Sequence, residues 1–209
     1  MKNFFLILFI SFGQHVFAQL GVFDKNVDIG NPKLPGQTVY DTQKQTYHVK
    51  GSGYNIWFQR DEFQFAYKKM KGDFTLTANF EFMGKGKELH RKIGWMVRES
   101  LEDDASHASA VYHGDGLTVL QWRVSKGVNM RDPEDEIFFP KKNVQIIQLE
   151  RKGSMIIMRV APVGESLQLV GTHDMSNFKE EVFAGIFICS HNIDVSEGAK
   201  IWNVRIVQP

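Results

Sequence analysis

IGWMVRESLEDDASHASAVYHGDGLTVLQWR, residues 93–123, decides the fold. Three short runs of strand-forming residues occupy it, at 93–98, 108–113 and 117–124, the last ending one residue beyond it. In the first, Ile93, Trp95 and Val97 alternate with Gly94, Met96 and Arg98. In the third, Thr118, Leu120, Trp122 and Val124 alternate with Leu117, Val119, Gln121 and Arg123. A period of two sends successive side chains to opposite faces, which marks a strand whose faces meet different surroundings. His113-Gly114-Asp115-Gly116 joins the second run to the third, and its glycines and aspartate accept the positive φ values of a tight turn. The stretch reads as an antiparallel meander.

Outward from it the same pattern repeats. Phe74, Leu76, Ala78, Phe80 and Phe82 alternate with polar partners, and Phe63, Phe65 and Tyr67 share a face. Further runs lie at 38–40, 46–49, 144–151, 155–160, 167–170, 182–190 and 199–207, with turns such as Lys71-Gly72-Asp73 and Lys152-Gly153-Ser154. Residues 84–92 read as a basic, solvated turn, 126–142 as one long irregular connection, and 174–178 as a single helical turn. About a dozen strands with glycine-rich turns predict an all-β, two-sheet antiparallel β-sandwich built in the jelly-roll manner.

Composition narrows the function classes. MKNFFLILFISFGQHVFAQ begins with Lys2, an apolar run and Val16-Phe17-Ala18, so 1–18 reads as a signal peptide and 19–209 as a single mature domain, secreted or periplasmic and soluble. Without Lys2 the basic and acidic residues balance, which argues against nucleic acid and against anionic membrane as partners. The one cysteine, Cys189, lies in an apolar run and reads as a buried structural thiol. With no disulfide available, the core has to carry stability.

Seven pieces in order then resemble a known family: Asp28-Ile29-Gly30, Gly53-Tyr54-Asn55-Ile56-Trp57, Gly72-Asp73-Phe74, Gly94-Trp95-Met96-Val97-Arg98-Glu99-Ser100-Leu101, Leu120-Gln121-Trp122-Arg123, Leu149-Glu150-Arg151 and Cys189-Ser190-His191-Asn192. Together they are similar to bacterial secreted domains of the concanavalin A-like lectin/glucanase superfamily, many of them domains of unknown function. The resemblance implies a concanavalin A-like jelly roll over nearly all of the mature chain. Asn55 departs from it, standing where the pattern Gly-x-Asp-Ile-Trp has an acid. Glucanases of this fold set their acids on one strand as Glu-x-Asp-x-x-Glu, and no strand here carries that set.

The residues themselves offer other chemistry. Arg98, Gln121 and Arg123 meet on one face if the first and third runs share a sheet, presenting donor forks to hydroxyl or carboxylate groups. The alternative is a structural network in which the arginines pair with Glu81, Glu99 or Glu150. His107, Tyr112, His113 and His191 lie in pieces that border the same face, and Trp57 follows a glycine-rich loop as the best stacking platform for a sugar ring. The expected ligand-binding set is therefore Trp57, Arg98, His107, Tyr112, Gln121, Arg123 and His191, with no catalytic or metal residue assigned. Asp132, Glu134 and Glu136 alternate, but Pro133 interrupts them and they read as a solvated loop. Calcium is the one candidate cofactor, with Asp24, Asp28 or Asp194 as conceivable oxygen ligands.

Three functions stay open. The first is a non-catalytic, lectin-like module that binds a poly- or oligosaccharide on its concave sheet face. The second is a glycoside hydrolase with acids from separate strands, for which the carboxyls would stand roughly 5 to 9.5 Å apart. The third is a cell-surface protein-interaction domain.

Overall fold

A computed structural model describes residues 20–209; the signal-peptide reading of 1–18 lies outside them. The described chain is built from strands: β1 (Lys25–Ile29), β2 (Gln37–Asp41), β3 (Thr46–Gly53), β4 (Ile56–Trp57), β5 (Arg60–Asp61), β6 (Phe63–Lys71), β7 (Phe74–Met83) and β8 (Lys92–Arg98). They continue with β9 (His107–His113), β10 (Thr118–Arg123), β11 (Glu136–Phe139), β12 (Val144–Lys152), β13 (Met155–Pro162), β14 (Gln168–Asp174), β15 (Glu181–Cys189) and β16 (Asn192–Val207). A front sheet of seven strands runs β1-β6-β15-β8-β9-β10-β11, and a back sheet of seven runs β14-β13-β12-β7-β16-β3-β2. All pairings are antiparallel. The architecture is the expected jelly-roll sandwich.

Alternation decides what fills it. Ile93, Trp95 and Val97 of β8, Ala108 and Ala110 of β9, Leu120 and Trp122 of β10 and Ile186 and Ile188 of β15 point inward. They meet Leu76, Phe80, Ile147, Leu149, Met158 and Ile201 of the back sheet in one apolar core. Trp95 crosses between the sheets, donating its indole N–H to the Ile147 carbonyl at 3.1 Å while Phe80 packs edge-on at 5.9 Å. Trp122 stacks on His173 with ring centroids 3.8 Å apart. Both tryptophans are core residues.

The opposite face of the front sheet is the unusual one. A sheet face that meets water normally turns polar, yet here Phe63, Phe65, Met96, Val111, Val119, Phe187 and Cys189 form a second, separate apolar cluster. It is covered because the chain folds a short hairpin, β4–β5, over it. Ile56 of that hairpin is fully buried in the cluster. Its backbone ties to the sheet and to neighbouring loops: the Gln121 side chain donates to Ile56 O at 3.0 Å, Asp61 N to Asp103 O at 2.8 Å, and Met130 N to Phe58 O at 3.2 Å.

Three local expectations are corrected. Residues 126–142 are not irregular throughout, because β11 pairs with β10 from Thr118↔Phe139 to Gln121↔Glu136 and closes the sheet edge. Residues 84–92 are not solvated throughout: Lys92 opens β8, and buried Arg91 pairs with Glu197 at 2.7 Å. Residues 174–178 form a turn closed by Phe178 N donating to Met175 O at 2.8 Å, and the backbone there is not helical.

Candidate functional site

The covered face of the front sheet holds two layers of polar side chains, one sealed and one open. Register creates the sealed layer, since Arg98 of β8 lies opposite His107 of β9, which lies opposite Arg123 of β10. Into this row Asp61 descends from β5, itself 0% exposed. Arg123 grips it with two guanidinium nitrogens at 2.8 and 2.7 Å, and Arg98 stands 3.5 Å away. The remaining arginine donors go to backbone carbonyls: Arg123 to Phe58 O and Ala105 O at 3.1 Å, Arg98 to Ser100 O at 2.7 Å and to Glu102 O. Burial pushes the Asp61 carboxyl up, against the pull of Arg123 and Arg98. Burial brings Arg98 down to about 10, and it holds His107 well below the ordinary 6.5, helped by Arg123 and Arg98.

This layer is the structural network anticipated for the arginines, with Asp61 as partner in place of Glu81, Glu99 or Glu150. Glu81 sits on β7 of the back sheet beside Lys200, at 3.1 Å, and Glu99 accepts from Lys179 N at 2.8 Å. Arg98, His107 and Arg123 are brought together as expected but are sealed under the hairpin at 0–1% exposure, so a ligand cannot touch them. They position the hairpin.

The open layer lies further along the same strands. A groove of about 350 Å³ is lined by Asn55 and Trp57 of the hairpin region, His90, Lys92, His113, Leu117, Gln121, Asp132, Glu136, Phe138 and His191. Lys92 and His113 are directly paired across β8 and β9 and form its floor, both nearly buried. The Lys92 ammonium donates to Asn55 Oδ1 at 2.8 Å and to His90 O at 3.3 Å. His90 stands 5.7 Å, ring centre to ring centre, from both His113 and His191. Burial first, and Lys92 next, hold His113 well below 6.5 and bring His191 to about 4. On the facing wall burial, and then Asp132, push the Glu136 carboxyl up to about 7.

Of the expected set, Trp57, Gln121 and His191 line this groove. Tyr112 does not: alternation turns it to the other face, where it stacks on Phe82 at 6.1 Å. The sequence reading put Lys92, His90, Asp132 and Glu136 into solvated loops. One of them carried a usable signal: Lys92 extends the Gly94, Met96, Arg98 series by one step, whereas Glu136 takes its face from pairing with Gln121, which only the structure shows.

Cys189 and His191 form no catalytic pair. The thiol donates to Gly53 O at 3.5 Å instead of to an imidazole, and burial raises it to about 11. The conceivable calcium ligands are engaged separately: Asp28 accepts from Gly36 N at 2.8 Å, Asp24 lies 3.6 Å from Lys68, and Asp194 pairs with Lys33. Among the described residues no group of three His, Cys, Asp or Glu is placed to hold a metal ion.

No family model and no curated protein matches the chain. Solved structures do match it. A functionally unknown protein from Saccharomyces cerevisiae superposes with a TM-score of 0.63 at 12% identity, covering 88% of this chain and 96% of that one. GH43B of the Bacteroides ovatus xyloglucan PUL gives 0.54 at 16% identity over 96% of this chain, which spans only 42% of that protein. Lectin II from Ulex europaeus gives 0.53 at 7% identity, covering 88% of this chain and 98% of the lectin. At these identities the likeness speaks to architecture alone, and the architecture is a two-sheet antiparallel jelly-roll sandwich.

Proposed function

We propose that the chain is an exported glycan-binding module and that the groove between Trp57 and Phe138 is its site. The observation that carries this reading is the composition of the groove. Aromatic rings at Trp57 and half-exposed Phe138 flank a floor in which buried Gln121 holds the hairpin through Ile56 O, with the imidazoles of His113 on β9 and His191 after β15 as its polar groups. Sugars are held in this way, with their apolar C–H faces on aromatic rings and their hydroxyls on planar polar groups fixed by the scaffold. A lectin and a xyloglucan-locus enzyme among the structural neighbours agree with a sugar role. Asn55 fits the same picture, since its carbonyl oxygen is spent on Lys92 and on Ile56 N and its amide is left to face the groove.

The test is binding of the protein to a panel of oligosaccharides by calorimetry, with Trp57→Ala alongside. Affinity for at least one glycan is expected, weakened about tenfold by Trp57→Ala as a stacking contact is lost, with the fold intact. No binding across a broad panel would sink the reading and favour a protein partner.

A second reading rests on Glu136. A carboxyl pushed to about 7, beside Asp132 in a groove, has the character of a general acid in sugar hydrolysis. Release of reducing ends, abolished by Glu136→Gln, would turn the module into a hydrolase. In the lectin reading no sugar is released and Glu136→Gln changes affinity alone.

A further inference from the structure

The charge balance of the molecule breaks at Lys92. Buried cations need a counter-charge or a full set of acceptors. Arg91 has Glu197 at 2.7 Å, Arg123 has Asp61 at 2.7 Å, and Arg98 has the same Asp61 at 3.5 Å. Arg151 fills its fork with the carbonyls of Gly153, Glu180 and Lys179. Lys92 is 4% exposed and has neither. Its ammonium meets two neutral oxygens, Asn55 Oδ1 and His90 O, with no ion pair among the described residues and its third proton unassigned.

The surroundings sharpen the point. Next to Lys92 on the floor, His113 is 5% exposed, and neither of its ring nitrogens has a hydrogen-bond partner among the described residues; Nδ1 of His191 has none either. Three polar side chains thus converge on one end of the groove with unused hydrogen-bonding capacity. The acid facing them, Glu136, is pushed up to about 7 by burial and by Asp132 with Lys92 pulling the other way, so near neutral pH it carries only part of a charge; burial lowers Lys92 as well, and among the described residues the two form no ion pair.

We propose that this end of the groove is an anion subsite, in which Lys92, His113 and His191 receive a singly charged acidic group of the bound glycan, a uronate carboxylate or a sulfate ester. The inference rests on the glycan reading above and names the class of sugar. One ammonium matches one negative charge, and the neutral imidazoles donate to its remaining oxygens. The acidic group meets an ammonium that is only 4% exposed, so its contact with Lys92 is a charge-assisted hydrogen bond of the strong kind.

The experiment compares a uronate oligosaccharide, its carboxyl-reduced neutral counterpart and a sulfated neutral oligosaccharide, by calorimetry on the protein and on Lys92→Met. The acidic form, carboxylated or sulfated, is expected to bind about tenfold or more tighter than the neutral one, the worth of one charge-assisted hydrogen bond. In Lys92→Met the ratio falls to about one. Which acidic arm shows the preference identifies the group. A denaturation midpoint for Lys92→Met that is unchanged or raised is also expected, because an unpaired buried charge is being removed. A large drop would assign Lys92 to holding Asn55 in place and overturn the proposal. Equal binding of acidic and neutral sugars overturns it while leaving the glycan reading intact, and no binding of any sugar removes both. Should Lys92→Met fail to fold, the comparison of the arms on the unaltered protein, with a shift of the His113 ring resonances on adding the acidic sugar alone, decides the matter.

Discussion

Asp61 ties the hairpin to the sheet. Among the described residues it is the one carboxylate with 0% exposure, and it faces two guanidinium groups that water cannot reach. Asp61→Asn keeps the shape and removes the charge, leaving Arg98 and Arg123 unneutralised. Breaking a buried pair in this way costs about 3–5 kcal/mol. The expected result is a fall of that size in unfolding free energy by urea titration; a loss under about 1 kcal/mol would show that the backbone carbonyls suffice. Cys189 gives a second check at this scale. Buried and raised to about 11, its thiol is expected to stay unmodified by an aromatic disulfide reagent at neutral pH until the protein unfolds. Rapid modification of the native protein would contradict the packing of Ile56 and Gly53 over it.

At the scale of elements, the β4–β5 hairpin turns a plain sandwich face into a site. It is only a few residues long and cannot stand alone. Its hold on the sheet comes from Ile56 in the second core, Asp61 in the arginine layer and the carbonyl of Phe58. Phe58 at its tip has φ 54°, a left-handed conformation that a bulky residue adopts at some cost, and Arg123 and Met130 N hold its carbonyl there. Gly53 sets where the hairpin leaves the sheet, with φ 135° and no room for a side chain: a Cβ would lie 1.9 Å from Glu62 O. Gly53→Ala is therefore expected to cost at least about 1–3 kcal/mol and to weaken glycan binding by displacing Trp57. Unfolding and binding measured together check this, and retention of both would mean that the hairpin is not hung from Gly53.

For the molecule as a whole, the groove and the sealed layer make stability depend on pH. The folded state keeps His107, His113 and His191 from protonating, through burial and then through Arg123 and Arg98 at His107 and through Lys92 at the other two. A histidine depressed on folding favours the native state above its unfolded value of 6.5, and that contribution is lost as the pH falls toward its folded value, about 4 for His191. Glu136 acts with the opposite sign: raised to about 7, its contribution is complete below 4.5 and disappears as the pH rises through 7. Between those limits the four depressed imidazoles, His173 included, outnumber the raised carboxyls of Glu136, Asp61 and Asp28, so the net expectation is a fall in stability from about pH 6.5 to 4.5. Urea midpoints across that range test it, with His107→Leu predicted to flatten the slope; a midpoint that rises on acidification would reverse the assignment.

The alternation in 93–123 was enough to find β8, β9 and β10 and to read them as a meander; the common face of Arg98, Gln121 and Arg123 hung on the first and third runs sharing a sheet, which the structure supplies. Alternation is local information, because a period of two needs only neighbours along the chain. The same logic made Tyr112 an inward residue, and a stricter reading of alternation within β9 would have excluded it from the ligand face. Tertiary structure alone decided what stands above that face. Asp61 reaches Arg123 across 62 positions and Asn55 reaches Lys92 across 37, and no spacing rule links residues so far apart. Glu136 was hidden for a related reason: Pro133 broke the pattern that would have announced a strand, and β11 exists because β10 offers it an edge. The sequence by itself determined which residues face which way, since pleating is a property of the backbone. The fold decided which of them are sealed, which are open and which charge is left without a partner, since burial and pairing depend on segments that meet only once the chain has folded.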